Sequence, residues 1–212
     1  MVVGFGAKAR QGKNTAVSTI FDAYRHQYKI FVAGFGDALK EEVNALPDQY
    51  EACLRLGVAY DFNPDLTDPL CASKHGKQSK LLQAWGQLRR QENPFYWVNK
   101  VRDKILAAQP QIVLIHDVRF RNEFYFVKSV GGYCVRVRRQ GFVDLSRDPN
   151  HISETDLDNA PFDVDINVLD GELDQLKRDA ITVFDLLIQH ETPVIPEMEG
   201  VVVQNEPMVS LT

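Results

Sequence analysis

The sequence predicts an α/β fold in three layers, with a parallel sheet between two layers of helices. Short apolar runs alternate with segments of helical period, which is the order that places parallel strands in one sheet. One run, residues 112–115, is continuously apolar, as in a strand covered on both faces. The length of 212 residues, 44% of them hydrophobic, suits one domain over 1–190 followed by a tail at 191–212.

The first part of the chain contains two strand–helix units. Residues 2–6 form an apolar run, and from Lys13 to about residue 26 the apolar side chains recur at helical spacing. A second apolar run at 30–34 leads into a helix for which Asp37 is the predicted N-cap, because an Asp side chain accepts hydrogen bonds from unpaired helix amides. Residues 57–79 are rich in Gly, Pro, Asp and Ser, which indicates a connecting loop.

The second part repeats the alternation. The helical pattern of residues 80–108 splits at Asn93-Pro94, since a residue before proline is pushed away from helical angles. The polar segment at 138–158 is a predicted lid. The remaining predicted elements are the strand at 112–115, a helix at 120–130, strands at 133–139 and 164–168, and a helix at 172–189.

Composition narrows the class of protein. The formal charge of -5 argues against a general nucleic-acid binder, since such proteins carry a net basic face. The start of the chain does not resemble a signal peptide, and no uninterrupted apolar run reaches the ~18 residues of a membrane span. Three widely spaced cysteines argue against disulfide and zinc frameworks. We therefore expect no membrane partner and a cytoplasmic location.

The most specific motif is GAKARQGKNT, which follows a predicted strand and opens a predicted helix, as a phosphate-binding P-loop does. Backbone N–H groups and the helix N-terminus would bind phosphate oxygens, and the lysine would supply a cation. The usual spacing puts Ala7 in the place of the first glycine and Asn14 in the place of the magnesium-binding Ser or Thr. The residues predicted to bind nucleotide here are Gly6, Ala7, Gly12, Lys13, Asn14 and Thr15.

Asp117 and Arg119 follow the most apolar strand, and ligands of open parallel sheets bind beyond the carboxyl ends of the strands. Asp117 and Asn14 are thus candidate magnesium ligands, directly or through water, and Arg119 a catalytic cation over the transferred group. An alternative is an Asp–Arg pair that only fastens the strand end. The other candidate phosphate clamps are Arg89, Arg90, Arg138, Arg139 and Arg147, while Arg136 is predicted to face solvent.

Two interpretations are open for His151-Ile152-Ser153-Glu154. A His, a hydroxyl and a carboxylate are the residue types of a hydrolytic triad, although no nucleophile elbow surrounds Ser153. Alternatively, Ser153 caps a short helix with Glu154 in its first turn. The other histidines have no metal-ligand spacing.

Taken together, these segments resemble the bacteriophage deoxynucleoside monophosphate kinases, which are P-loop kinases with a nucleoside monophosphate kinase-like fold. The resemblance covers most of residues 1–189 and includes FGDALKEEV, LLQAWGQLRRQENPFYWV, DVRFRNE and HISETDLD besides the P-loop. It implies that Arg138, Arg139, Arg147 and Asn167 contact ATP, with Arg139 catalytic. The acceptor-binding residues that it implies are Asp37, Lys40, Trp85, Arg89, Arg90, Trp97 and Glu154.

The resemblance implies transfer of a phosphoryl group from ATP to a deoxynucleoside monophosphate with Mg²⁺, and an acceptor-binding region at about 36–100. It also implies small nucleotides as the binding partners, a homodimer, and a location in the host cytoplasm if the chain is phage-encoded. Two other functions are compatible with the residues. A kinase similar to dephospho-coenzyme A kinase would accept a bulkier substrate, and a nucleotide-binding switch would not turn over. Acceptor-dependent release of ADP distinguishes the three.

Overall fold

The computed structural model describes residues 1–60, 79–142, 144 and 149–190. The predicted nucleotide ligand Arg147, the tail at 191–212 and most of the predicted loop at 57–79 lie outside these ranges. The chain divides into two compact units. One comprises Met1–Ala33 with the described residues from Arg102 onwards, and the other comprises Gly34–Val101.

The first unit is built on a five-stranded, all-parallel sheet with the strand order β2-β3-β1-β4-β5. The parallel pairing sets Val3 opposite Leu114 on one side of β1 and opposite Tyr133 on the other. The strands are β1 (Val2–Gly6), β2 (Ile30–Ala33), β3 (Ile112–Val118), β4 (Tyr133–Gln140) and β5 (Val164–Leu169).

The described residues form eight helices. They are α1 (Lys13–Tyr24), α2 (Phe35–Asn44), α3 (Gln49–Arg55), α4 (Ser79–Glu92), α5 (Tyr96–Ala108), α6 (Arg121–Ser129), α7 (Ile152–Thr155) and α8 (Leu173–His190). None of the helices in the described ranges combines the length and the apolar composition that crossing a membrane requires.

Helices cover both faces of the sheet. On one face, α1 and α8 pack against the strands in a core that includes Phe5, Ile20, Leu114 and Phe184. On the other face, α6 lies so close to β1 that a side chain at Gly4 would meet Val127 of α6 at 2.9 Å. The helix after β1 and the helix after β3 therefore cover opposite faces. Because β1 and β3 are neighbours, a crevice forms where these two strands end, which is the usual ligand position in open α/β sheets.

The second unit contains α2, α3, α4 and the first turns of α5. Its small core joins Val43 of α2, Cys53 of α3 and Leu81 of α4, all buried. Leu39 and Trp85 pack against this core from α2 and α4.

The structure confirms the predicted three-layer α/β fold with a parallel sheet. The split between α4 and α5 at Asn93-Pro94 is also confirmed. The helix α3 was not predicted, and β3 continues through Asp117 to Val118 because Val118 pairs with Gly6 of β1. The segment at 138–158 begins as strand, since β4 runs to Gln140, and includes α7.

The prediction that Asp37 caps its helix is wrong. The N-cap is Gly34, whose carbonyl accepts the backbone N–H groups of Asp37 and Ala38 at 3.2 and 3.3 Å. The helix begins at Phe35, which is buried, so packing of this ring sets the start earlier than the cap signal predicts. Asp37 instead lies in the first turn, where its negative charge interacts favourably with the helix dipole.

Candidate active site

The loop between β1 and α1 is closed by Gly12, which has φ 100° and ψ 5°. A Cβ atom at this position would lie 2.6 Å from Cδ2 of Leu176 in α8. The left-handed backbone and the close approach both require glycine. The fold thus presents the backbone of residues 7–12 at the carboxyl end of β1, next to the N-terminus of α1.

Lys13 is the first residue of α1 and is buried, with 6% of its surface exposed. Its Nζ donates hydrogen bonds to the carbonyl oxygens of Ala7 at 2.8 Å and Lys8 at 2.7 Å. The ammonium group is therefore folded back under the loop, which it braces. Asn14 is exposed and Thr15 is half-buried in the same helical turn.

Arg119 lies just beyond the end of β3 and is joined to the loop through Glu154. Its Nη1 donates to Oε1 of Glu154 at 2.6 Å, and Oε2 of Glu154 accepts the backbone N–H of Ala9 at 2.8 Å. The predicted cation and the predicted loop are thus brought together by a buried carboxylate. Asp117, the predicted metal ligand, is half-buried one residue before the end of β3.

A second carboxylate, Glu123, fixes the backbone at Arg119. Its Oε2 accepts the N–H groups of Arg119 at 2.9 Å and Phe120 at 3.1 Å, and the residue is only 1% exposed. Glu123 was not among the residues predicted from the sequence. Its position three residues after the N-cap Phe120, in the first turn of α6, is a usable signal, since carboxylates there accept free amides.

The arginines of β4 lie on two faces of the sheet. The prediction that Arg136 faces solvent is wrong, because its guanidinium donates to both oxygens of Asp165, at 2.5 and 3.0 Å, and lies 4.8 Å from the centre of the Phe162 ring. The hydrogen bond from Arg136 lowers the pKa of Asp165. Arg138 is exposed and pairs in register with Asn167 on β5.

Arg139 points to the opposite side, towards the loop. Its guanidinium pairs with Asp170 at the end of β5, and Nη1 donates to the carbonyl of Arg10 at 3.4 Å. Its backbone N–H donates to the side chain of Gln11. Arg139 is therefore attached to the loop by both its backbone and its side chain.

The segment around α7 is capped by a histidine. Nδ1 of His151 accepts the backbone N–H of Ser153 at 3.2 Å, so the prediction of Ser153 as the N-cap is wrong. The imidazole ring lies two residues earlier and reaches the amide first. Glu154 binds Arg119 and Ala9, an arrangement that does not orient His151 as a hydrolytic triad requires.

These elements surround a cavity of about 480 Å³. Its lining includes five basic side chains against two acidic ones, so the cavity attracts anions. Leu157 and Phe162 add apolar surface, which suits a ligand with a planar or apolar part beside its charge. The basic residues are Lys8, Arg119, Arg136, Arg138 and Arg139, and the acidic residues are Glu154 and Asp158.

The second unit contains its own polar cluster, centred on Glu42. The carboxylate accepts hydrogen bonds from Trp85 Nε1 at 3.0 Å, Arg89 Nε at 2.8 Å and the Tyr96 hydroxyl at 2.6 Å. Burial acts to raise the pKa of Glu42, but the hydrogen bonds from Tyr96, Trp85 and Arg89 outweigh it, so the net pKa is lowered. Trp85 and Arg89 were predicted from the sequence as site residues, whereas Glu42 was not.

Other predicted acceptor residues belong to the same unit. Trp97 is buried and donates its indole N–H to the carbonyl of Gly86 at 3.2 Å. Lys40 and Asp37 form an exposed ion pair on α2 at 2.7 Å. A Cβ atom added at Gly86 would lie 3.2 Å from Nη1 of Arg90, so the Arg90 side chain packs close to the backbone of Gly86.

A stretch of 56 residues of this chain is 39% identical to a protein of Acanthamoeba polyphaga mimivirus named "Putative deoxynucleotide monophosphate kinase". The stretch is 26% of this chain and 28% of the mimivirus protein, so the similarity spans about a quarter of each. No family profile matches the chain.

Among the described residues, no group of three or more His, Cys, Asp and Glu side chains is arranged to hold a metal ion. Mg²⁺ that arrives with a nucleotide does not need such a group, because it keeps several waters and takes one or two protein ligands besides the phosphates. An amide oxygen at Asn14 and a carboxylate at Asp117 are of the right chemical type for that cation.

Proposed function

We propose that this protein is a kinase that transfers the γ-phosphoryl group of ATP to a deoxynucleoside monophosphate. The observation that carries the proposal is the loop at residues 7–12, which connects a central parallel strand to a helix beginning with Lys13. This loop opens beside a cavity whose charged lining residues are mainly basic. Backbone amides, a helix N-terminus and a lysine at this edge are the features that bind the phosphates of ATP. The name of the mimivirus protein supports the same class of substrate.

The proposed chemistry is an in-line displacement. An oxygen of the acceptor monophosphate forms a bond to the γ-phosphorus while the bond to the β,γ-bridging oxygen breaks, and ADP leaves with the charge of that oxygen. Lys13 would exchange its bonds to the Ala7 and Lys8 carbonyls for bonds to phosphate oxygens. Arg119 and Arg139 would stabilise the negative charge on the transferred group.

In this proposal Mg²⁺ neutralises phosphate charge when bound. Asn14 and Asp117 would hold it directly or through water, and Thr15 supplies a hydroxyl in the same turn. Arg138, Arg147 and Asn167 are proposed contacts of the donor nucleotide. The proposed acceptor contacts are Asp37, Lys40, Trp85, Arg89, Arg90 and Trp97, with Glu154 considered separately below.

Three further expectations belong to this proposal. The residues from 1 to 190 act as one kinase, with 191–212 as an appendage. The lid at 138–158 closes over ATP around Glu154 and Asp156, which are already anchored to Arg119 and Arg121. Hydrogen exchange would detect this closure as protection that the other residues of the lid gain only when both substrates are present. The enzyme works on small nucleotides as a homodimer in the cytoplasm, and sedimentation of the purified chain tests the dimer.

Coupled measurement of ADP release tests the proposal. ATP and Mg²⁺ are supplied with each ribo- and deoxynucleoside monophosphate in turn, and with dephospho-coenzyme A as the bulkier alternative. Release should require a deoxynucleoside monophosphate. Release with dephospho-coenzyme A alone would support the alternative kinase, and no release with any acceptor would support a nucleotide-binding protein without turnover.

Two lysine variants control the test. Lys13→Ala should abolish ADP release while the circular dichroism spectrum is unchanged, because the charge acts on the phosphates and the lost bonds to the Ala7 and Lys8 carbonyls affect only the loop. Lys177→Ala removes a partly exposed lysine of α8, paired with Asp174 at 3.6 Å, and should keep full activity. A folded Lys13→Ala protein with wild-type turnover would contradict the assignment of the loop.

A further inference from the structure

Glu154 joins the ends of the two strands that form the crevice. Its oxygen Oε1 is bound by Arg119, which follows β3, and its oxygen Oε2 is bound by the Ala9 amide, which follows β1. The side chain of Glu154 is 6% exposed and that of Arg119 is 21% exposed. Both carboxylate oxygens are thus bound by donors of the protein itself.

A buried carboxylate is costly unless it is paired and hydrogen-bonded, and here both conditions are met. Arg119 also donates from Nη1 to the carbonyl of Ser153 at 3.4 Å, so one side of the guanidinium is fixed by the same segment. A guanidinium has five N–H donors, and the contacts of Nη1 leave others for a ligand. The geometry therefore orients Arg119 without consuming its capacity to bind phosphate.

We propose that Glu154 is a positioning residue: it holds the Arg119 guanidinium at a set distance from the phosphate-binding loop before the nucleotide arrives. A free arginine side chain has about 2 kcal/mol of rotamer entropy to lose when it is fixed. When Glu154 fixes the Arg119 side chain in advance, this entropy is not lost on reaching the transition state and does not add to the activation barrier. The inference rests on the proposed function, in which Arg119 acts on the transferred group, and it assigns Glu154 a role through Arg119 instead of contact with the acceptor.

The same segment offers a matched control. Asp156, two residues further on, accepts the backbone N–H of Arg121 at 2.8 Å, and its backbone carbonyl accepts from Arg121 Nε at 3.2 Å. It fastens the segment to the start of α6, whereas Glu154 fastens it to Arg119 and the loop. Glu154→Gln and Asp156→Asn each replace a carboxylate by an amide in the same segment. Comparison of the two variants distinguishes the positioning of Arg119 from the anchoring of the segment.

A double-mutant cycle tests the proposal in steady-state kinetics. Glu154→Gln should lower kcat about tenfold, or ~1.4 kcal/mol, with the KM for ATP changed less than about twofold. Asp156→Asn should leave both constants within about twofold of wild type. In the Arg119→Ala background, Glu154→Gln should cause no further loss, because the residue through which it acts is gone.

Three outcomes would overturn the proposal: losses that multiply in the double variant, an equal loss in Asp156→Asn, or an effect of Glu154→Gln on KM alone. A separate measurement does not depend on turnover. Exchange of the Ala9 amide, followed by NMR in the protein without ligand, should be about tenfold faster in Glu154→Ala and unchanged in Asp156→Ala.

The two measurements separate the failure of the inference from the failure of the proposed function. If the wild-type protein releases no ADP with any acceptor, the proposed function fails and Ala9 exchange decides the role of Glu154. Exchange as slow in Glu154→Ala as in wild type would overturn the inference even in an active kinase. If circular dichroism shows that Glu154→Ala does not fold, Glu154→Gln replaces it, since an amide oxygen accepts the N–H more weakly than a carboxylate.

Discussion

Replacing Gly12 by alanine should destabilise the protein through two separable effects. The residue has φ 100°, and a left-handed backbone costs a non-glycine residue about 1–2 kcal/mol. The new methyl group would also lie 2.6 Å from Leu176 Cδ2, and Leu176 is 4% exposed, so it has little room to turn away. Overpacking of this kind costs about 1–3 kcal/mol.

Together these effects predict a loss of about 2–5 kcal/mol in the free energy of unfolding. For a chain of this size, each kcal/mol lowers Tm by about 2–4 °C, so the fall in Tm should be about 4–20 °C. Urea unfolding followed by circular dichroism measures the free energy directly.

Gly171 provides the matched control for backbone strain. It has φ 91°, and nothing lies within 4 Å of the position that its Cβ would take. Gly171→Ala should therefore show only the strain of about 1–2 kcal/mol. Leu176→Ala removes the side chain that the new methyl group would meet. In a double-mutant cycle with Leu176→Ala, the Gly12→Ala change should therefore cost about 1–3 kcal/mol less than it does in the wild-type protein.

Equal losses in Gly12→Ala and Gly171→Ala would refute the packing part of this reasoning. Additive losses in the cycle with Leu176→Ala would refute it independently. Either result would mean that the loop and α8 can separate without cost.

Three further predictions concern other parts of the chain. Arg119→Ala should lower kcat at constant KM, because Arg119 contacts the transferred group only in the transition state. Arg90→Ala should instead raise the KM of the acceptor, and the reverse pattern of effects would contradict the proposed site. The pKa of Glu42 is lower in the native state than in the unfolded chain, so ionised Glu42 stabilises the native state at any pH above its unfolded-state pKa. This stabilisation is lost as the pH falls through the lower pKa that Glu42 has in the folded protein. Urea unfolding at decreasing acidic pH should thus show a smaller loss for Glu42→Gln than for wild type, and equal losses would count against the cluster. Burial raises the pKa of the Cys134 thiol to about 12, so iodoacetamide should modify Cys134 only after unfolding, and rapid labelling of the native protein would contradict this.

The fold class was predictable because it depends on local patterns. A continuous apolar run such as residues 112–115 must be covered on both faces, and alternation with helical segments makes the sheet parallel. The loop before Lys13 was recognisable because its residue types follow from local backbone geometry, as the left-handed Gly12 shows. These features are encoded within ten to twenty consecutive residues.

The boundaries of elements were less predictable because packing competes with capping. Asp37 has the chemistry of an N-cap, but the buried ring of Phe35 moves the helix start to Gly34. His151 replaces Ser153 as the cap of α7 because its longer side chain reaches the amide from an earlier position. In both cases a local preference of about 1 kcal/mol is too small to override neighbouring contacts.

The amino-acid sequence by itself determined the layered parallel sheet, the glycine-containing loop before α1 and the presence of candidate cations. Only the tertiary structure decided how those cations are held. Arg119 is bound to Glu154, 35 positions later, and Arg136 is bound to Asp165, 29 positions later. Such pairs depend on which strands become neighbours and on the register between them. Any of several carboxylates could satisfy a given arginine by charge alone, so the choice is made by the position of the backbone.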